Sequence, residues 1–133
     1  MIPHNQNYNE WLGHQITRWD PGSVELTLSI RPDHLNTLGI LHGGVLCSLL
    51  DIAGGLAGLF HDHHQQAKTE RRRAVTISLT THFIHQSPSQ GILKITGQQL
   101  GGGRRVYFST AQILSEENKL LAKGDGTYRY LDS

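Results

Sequence analysis

A single cysteine, Cys47, stands among 133 residues. This excludes an intramolecular disulfide framework and a cysteine-rich zinc site, and it fits a reducing compartment. An excess of one charge is also missing. With 12 Lys and Arg against 11 Asp and Glu, there is no chain-wide basic field to bind nucleic acid by counterion release. Long apolar runs are absent too: the longest, residues 45–60, is broken by Asp51, Gly54, Gly55 and Gly58 and falls short of the roughly 20 residues of a membrane span. The first residues show no basic stretch leading into an apolar one, so no secretory leader and no membrane partner are expected, and the protein is expected to be soluble and cytoplasmic. Linkers, internal repeats and low-complexity tracts are lacking. The length then implies one domain covering residues 1–133. What is abundant is glycine, 15 residues in all, above the usual share of about 7%.

The periodicity is that of a small α+β protein. Residues 5–12 fit a short helix. Val24, Leu26, Leu28 and Ile30 alternate with polar residues, the pattern of a strand with one wet face. Asp20-Pro21-Gly22 is turn chemistry, so residues 15–19 are read as its hairpin partner. Residues 33–41 read as a loop and residues 45–60 as one long helix, apolar nearly all round and therefore interior. Further strands are expected at residues 75–85, with Val75, Ile77, Leu79, Thr81 and Phe83 on one face, and at 92–100, 105–114 and 120–131, joined by turns at 87–91, 101–103 and 116–119. One early helix and a late run of hairpin-connected strands predict an antiparallel β-sheet wrapped around one long central helix.

The chemistry concentrates in Asn36-Thr37-Leu38-Gly39-Ile40-Leu41-His42-Gly43-Gly44 and the helix behind it. A helix starting near Gly43 or Gly44 presents free amides at the positive end of its dipole, uncovered by side chains, which suits a carbonyl oxygen becoming an oxyanion. The two glycines also fit a bare tight turn. Asp51 is the one charged residue on the apolar helix, and a carboxylate there must be paired or used. Around it lie Cys47, Ser48, Gly54, Gly55 and Gly58. Helical glycines are costly, so this small-residue stripe suits a close approach by a second chain or a ligand; it also fits plain helix packing beneath an Asp satisfied by backbone donors. Gly43 and Asp51 are eight residues apart, about 12 Å of helix. If both serve one reaction they belong to different chains, as in a C2 dimer with antiparallel helices. On that reading a second subunit completes the core.

Asn36, His42-Gly43-Gly44 and Asp51, nine positions after His42, resemble the signature of the hotdog-fold acyl-CoA thioesterases, specifically the phenylacetate-degradation-type subgroup of the 4-hydroxybenzoyl-CoA thioesterase superfamily. The resemblance runs from about Val24 to Tyr130 and includes the strand around Thr76-Ile77-Ser78-Leu79 that leads to Phe83 and Pro88. It implies a hotdog fold and a homodimer, often paired again into a homotetramer, with active sites at the subunit interface. It also implies hydrolysis of an acyl-CoA without metal or redox cofactor. Carried over, Gly43 N–H polarises the thioester carbonyl beside Gly44, and Asp51 of the other chain acts as general base or nucleophile. Asn36 helps hold the water or the carbonyl, and His42 orients the loop. Thr76 assists the carboxylate if Phe83 is aligned with the family's aromatic, Ser78 if the count starts from Pro88.

Arg104 and Arg105, after the glycine turn, are candidates for the coenzyme A phosphates, and Arg71, Arg72 and Arg73 are weaker ones. His61-Asp62-His63-His64 lacks recognisable metal-ligand spacing, and no metal site is expected. Cys47 reads as a small hydrophobe rather than a nucleophile. Gly124-Asp125-Gly126 is no dinucleotide fingerprint, and no G-x-S-x-G elbow exists. Two rival functions share the fold. A noncatalytic acyl-CoA-binding regulator is disfavoured by Asp51, and a hydratase or dehydratase by a histidine followed at once by two glycines.

Overall fold

A computed structural model describes residues 7–60 and 72–131. The chain runs α1 (Tyr8–Leu12), β1 (Gln15–Asp20), β2 (Ser23–Ser29), a 3-10 turn (Pro32–His34), α2 (Gly43–Ala57), β3 (Ala74–Phe83), β4 (Ile92–Gly102), β5 (Val106–Leu114) and β6 (Leu120–Tyr130). The strands form one antiparallel sheet in the order β1-β2-β4-β5-β6-β3, with α2 packed along one face. This is the hotdog architecture.

Alternation builds the core. Val24, Leu26 and Leu28 of β2, Leu93 and Ile95 of β4, and Ile113 of β5 all point at α2, which answers with Leu46, Leu49, Leu50, Ala53 and Ala57. Full burial of each Leu or Ile contributes about 1.5–3 kcal/mol. The helix lies so close to β4 that a Cβ at Gly97 would sit 2.3 Å from the Ala53 carbonyl oxygen.

Three expectations change. The helix stops at Ala57, with Gly58 as its cap, short of the expected residue 60. It is also not buried all round: Cys47, Ser48, Asp51, Ile52 and Gly55 are half-buried, because the sheet covers only one side. The turn at 87–91 does not close a hairpin. β3 pairs with β6 while β4 pairs with β2, so residues 84–91 cross from one part of the sheet to another. This leaves β3 as an edge strand, with a register shift between Thr76 and Ser78. The strand face that carries Val75, Ile77 and Phe83 is open, with these residues 46%, 56% and 57% exposed.

Candidate active site

The start of α2 is organised by His42. As N-cap residue it accepts the Gly44 N–H on Nδ1 at 2.7 Å, while its carbonyl accepts from Val45 and Leu46. A Cβ at Gly44 would lie 2.9 Å from that same Nδ1, so glycine is what lets the ring fold over the turn. The Gly44 amide is therefore spent inside the loop and is not open to substrate as expected. Gly43 is left as the residue of this turn whose N–H has no acceptor among the described residues. It sits beside the Phe83 ring, with 3.5 Å from its would-be Cβ to Cζ. With Nδ1 accepting, His42 in its neutral form carries its proton on Nε2.

Asn36 shapes the preceding loop. Its Oδ1 accepts from Leu38 N–H at 2.9 Å and Ile40 N–H at 3.3 Å, while its main chain bonds Ile40 and Gly39. The side-chain oxygen is thus committed locally, and the amide NH2 is the group that can reach outward.

Asp51 is half-buried and held from the sheet. Thr76 Oγ1 donates to Asp51 Oδ1 at 2.6 Å, the length of a charge-assisted O–H···O⁻ bond. Of the two hydroxyls left open by the sequence, the structure brings Thr76 to the carboxylate. Ser78 lies beyond the register shift, opposite Thr127.

The glycine stripe has a different occupant from the expected one. A Cβ at Gly54 would meet Tyr128 Oη at 2.3 Å, and one at Gly58 would meet Tyr107 Cε2 at 2.3 Å. The close approach is made by tyrosines of the same chain's sheet. Their hydroxyls donate to carbonyls of the helix and its cap: Tyr107 to Gly55 at 2.7 Å, Tyr128 to Asp51 at 3.1 Å and Tyr130 to Gly58 at 3.0 Å, joined by Trp19 Nε1 to Leu56 at 2.8 Å. Burial first, and then the Asp51 carboxylate, push the Tyr128 phenol well above its usual range, so it stays a donor. The sequence reading missed these residues. The signal was the alternation of Tyr128 and Tyr130 on β6, on the same face as glycines 124 and 126.

Arg104 and Arg105 are exposed on the β4–β5 turn. The Arg105 carbonyl accepts from Tyr130 N–H, Arg73 carbonyl from Leu131 N–H, and the Arg72 guanidinium lies 3.5 Å over the Tyr130 ring. Arg129 pairs with Val75 on one side and Val106 on the other. These arginines therefore gather at one end of the sheet. Arg73 immediately precedes β3 and is three residues from Thr76 in the chain, about 10 Å. Arg71 and the His61–His64 cluster lie outside the described residues. Among the described residues, no group of three or more His, Cys, Asp or Glu could hold a metal ion, and no helix is long and apolar enough to cross a membrane.

Residues 38–122, which contain Gly43, Asp51 and Thr76, match the model of the thioesterase superfamily. The chain belongs to that superfamily. It is 31% identical over 120 residues to a Schizosaccharomyces pombe protein named as an esterase, an alignment covering 85% of this chain and 66% of that one. To the medium/long-chain acyl-CoA thioesterase YigI of Escherichia coli it is 26% identical over 138 residues, covering 96% of this chain and 88% of the relative. Its thioesterase-superfamily fold superposes on the E. coli PaaI structure with a TM-score of 0.80 at 22% identity, over 97% of this chain and 87% of that one.

Proposed function

We propose that this protein hydrolyses the thioester of an acyl-CoA to a free carboxylic acid and coenzyme A, at a site shared between two subunits. The observation that carries the reading is the 2.6 Å bond from Thr76 to Asp51, which orients one carboxylate on the same helix that opens with an unoccupied amide. Gly43 N–H receives the thioester carbonyl oxygen and stabilises the oxyanion. Asp51 takes a proton from water as general base. The hydroxide adds to the carbonyl carbon, and the tetrahedral intermediate collapses with cleavage of the C–S bond. The departing thiolate recovers the proton from Asp51, so one water is consumed and nothing else. No metal or redox cofactor enters the reaction. His42 holds the loop and presents Nε2–H, while the Asn36 amide steadies water or carbonyl.

Gly43 and Asp51 are separated by about 12 Å of helix, so the amide and the base of one site come from two chains. The open β3 edge, with Val75, Ile77 and Phe83 exposed, supports a homodimer in which two such edges pair. The resemblance carried by His42-Gly43-Gly44 and Asp51 further implies the phenylacetate-degradation-type subgroup and pairing of two dimers into a homotetramer. The acyl-CoA activity named for YigI supports the substrate class, and Arg104 and Arg105 in their arginine cluster are assigned to its phosphates. A cytoplasmic location accords with the lone cysteine.

The test is thiol release from a panel of aliphatic and aryl acyl-CoAs by wild type and Asp51→Ala. Cleavage by wild type and its loss in Asp51→Ala are expected. No cleavage of any thioester, or equal rates in the two proteins, would overturn the reading.

A further inference from the structure

Two residues of the sheet grip Asp51, at opposite ends of the residue. Thr76 on β3 and Tyr128 on β6 are directly opposed partners, so their side chains leave the sheet on the same face. Thr76 takes the carboxylate, and Tyr128 takes the main-chain carbonyl of the same residue at 3.1 Å. The space for the phenol is kept clear from both sides. A Cβ at Gly54 on the helix would lie 2.3 Å from Tyr128 Oη, and one at Gly126 on β6 would lie 2.6 Å from it. The ring is 2% exposed and stacks on Tyr107 with centroids 5.2 Å apart, which leaves the hydroxyl no alternative direction in water.

We propose that Tyr128 is a positioning residue for the hydrolysis. By tying the Asp51 carbonyl to β6 while Thr76 ties its carboxylate to the neighbouring β3, it fixes the height and rotation of the base relative to the sheet. The proposal rests on the reading of Asp51 as the general base. Tyr107 and Tyr130 are internal standards: they make the same kind of bond, but to the carbonyls of Gly55 and Gly58, one turn and two turns beyond the carboxylate. They hold the helix as a body, whereas Tyr128 holds the residue that bears the charge.

The experiment compares wild type, Asp51→Ala, Tyr128→Phe and Tyr107→Phe on an acyl-CoA that wild type cleaves, with thermal melts alongside. Both phenylalanine variants lose one buried hydroxyl bond and should melt lower by comparable amounts. Only Tyr128→Phe should lose kcat, by about tenfold, with KM within about twofold of wild type. Tyr107→Phe should keep its kcat. Wild-type kcat in Tyr128→Phe, or the same kcat loss in both variants, would overturn the positioning role while leaving the hydrolase reading intact. If wild type cleaves no thioester, or Asp51→Ala is as fast, the hydrolase reading falls and takes the positioning role with it. Should Tyr128→Phe fail to fold, Gly54→Ala serves in its place. Its methyl displaces the phenol hydroxyl while alanine favours the helix; the same selective kcat loss is expected, and an unchanged kcat would sink the proposal.

Discussion

Thr76 Oγ1 and Asp51 Oδ1 meet at 2.6 Å across 25 residues of chain, joining the edge strand β3 to the centre of α2. Because the hydroxyl donates to one carboxylate oxygen, it fixes the rotation of the Asp51 side chain. Thr76→Val, which keeps shape and removes the donor, should lower kcat by about tenfold to a hundredfold. Thr76→Ser should stay near wild type, as should Ser78→Ala. A Ser78→Ala defect as large as that of Thr76→Val would reassign the assisting hydroxyl.

Glycines separate by what lies above them. A methyl at Gly97 would press on the Ala53 carbonyl, main chain that cannot rotate away, at 2.3 Å from O and 2.6 Å from C. Gly97→Ala should therefore destabilise the protein by about 1–3 kcal/mol. At Gly55 the nearest atom is Tyr128 Cε1 at 3.5 Å, ordinary contact. There alanine should be neutral or stabilise by up to about 1 kcal/mol through helix propensity. Denaturant melts of the two variants are the measurement, and similar midpoints would contradict the packing described.

Much of this arrangement was legible locally. The alternation at Val24, Leu26 and Leu28 reports a strand wet on one face, and Gly43-Gly44 before an apolar run reports a helix start. Asp51 stood out because nothing else on its helix is charged. What was not legible depends on neighbours distant in sequence. Val75, Ile77 and Phe83 alternate like a buried strand, yet an edge position is a property of the sheet order, which no local period encodes. The glycine stripe correctly signalled a close approach, but local spacing does not say whether Tyr107 and Tyr128 or a second chain makes it. The Gly44 amide looked free because histidine is an uncommon N-cap residue.

Arg104 and Arg105 stand on an exposed turn beside the Arg72 and Tyr130 stack. If they meet the phosphates of the substrate, removing both charges should raise KM and leave kcat unchanged, since those contacts are the same in ground and transition states. The increase should shrink as salt rises from low to physiological concentration. Steady-state kinetics of Arg104→Ala/Arg105→Ala at two ionic strengths tests this, and an unchanged KM at low salt would remove the pair from the substrate site.

Burial of His34 is expected to lower stability at acid pH. The residue is fully buried, accepts the Arg31 N–H on Nδ1 at 3.0 Å and donates from Nε2 to the Leu12 carbonyl at 2.9 Å, closing α1 onto the loop. Burial first, and then the Arg31 charge, lower its pKa from 6.5, against the Leu12 bond and the Asp33 charge. His14 is lowered by burial as well. The unfolded chain takes up these protons below about pH 6.5 before the folded one does, so the stabilisation is complete above that pH and is lost as pH falls through the folded values. Melting temperatures should drop from about pH 7 to about pH 5, and the slope should be shallower in His34→Gln. An identical slope in the variant would assign the acid sensitivity elsewhere.

The shared site makes a quantitative demand on mixed subunits. Gly43 is the first residue of α2, where proline is tolerated but brings no N–H, so Gly43→Pro removes the amide without breaking the helix. Gly43→Pro and Asp51→Ala chains should each be inactive alone. In a heterodimer, one site combines the intact Gly43 of the Asp51→Ala chain with the intact Asp51 of the Gly43→Pro chain, while the other site carries both lesions. Purified heterodimers should therefore recover about half the wild-type kcat per dimer, as one sound site of two in a C2 pair. If amide and base instead served within one chain, every site would carry one lesion and no activity would return. Differently tagged chains, co-expressed and isolated by tandem affinity, distinguish the two arrangements in a single thiol-release assay.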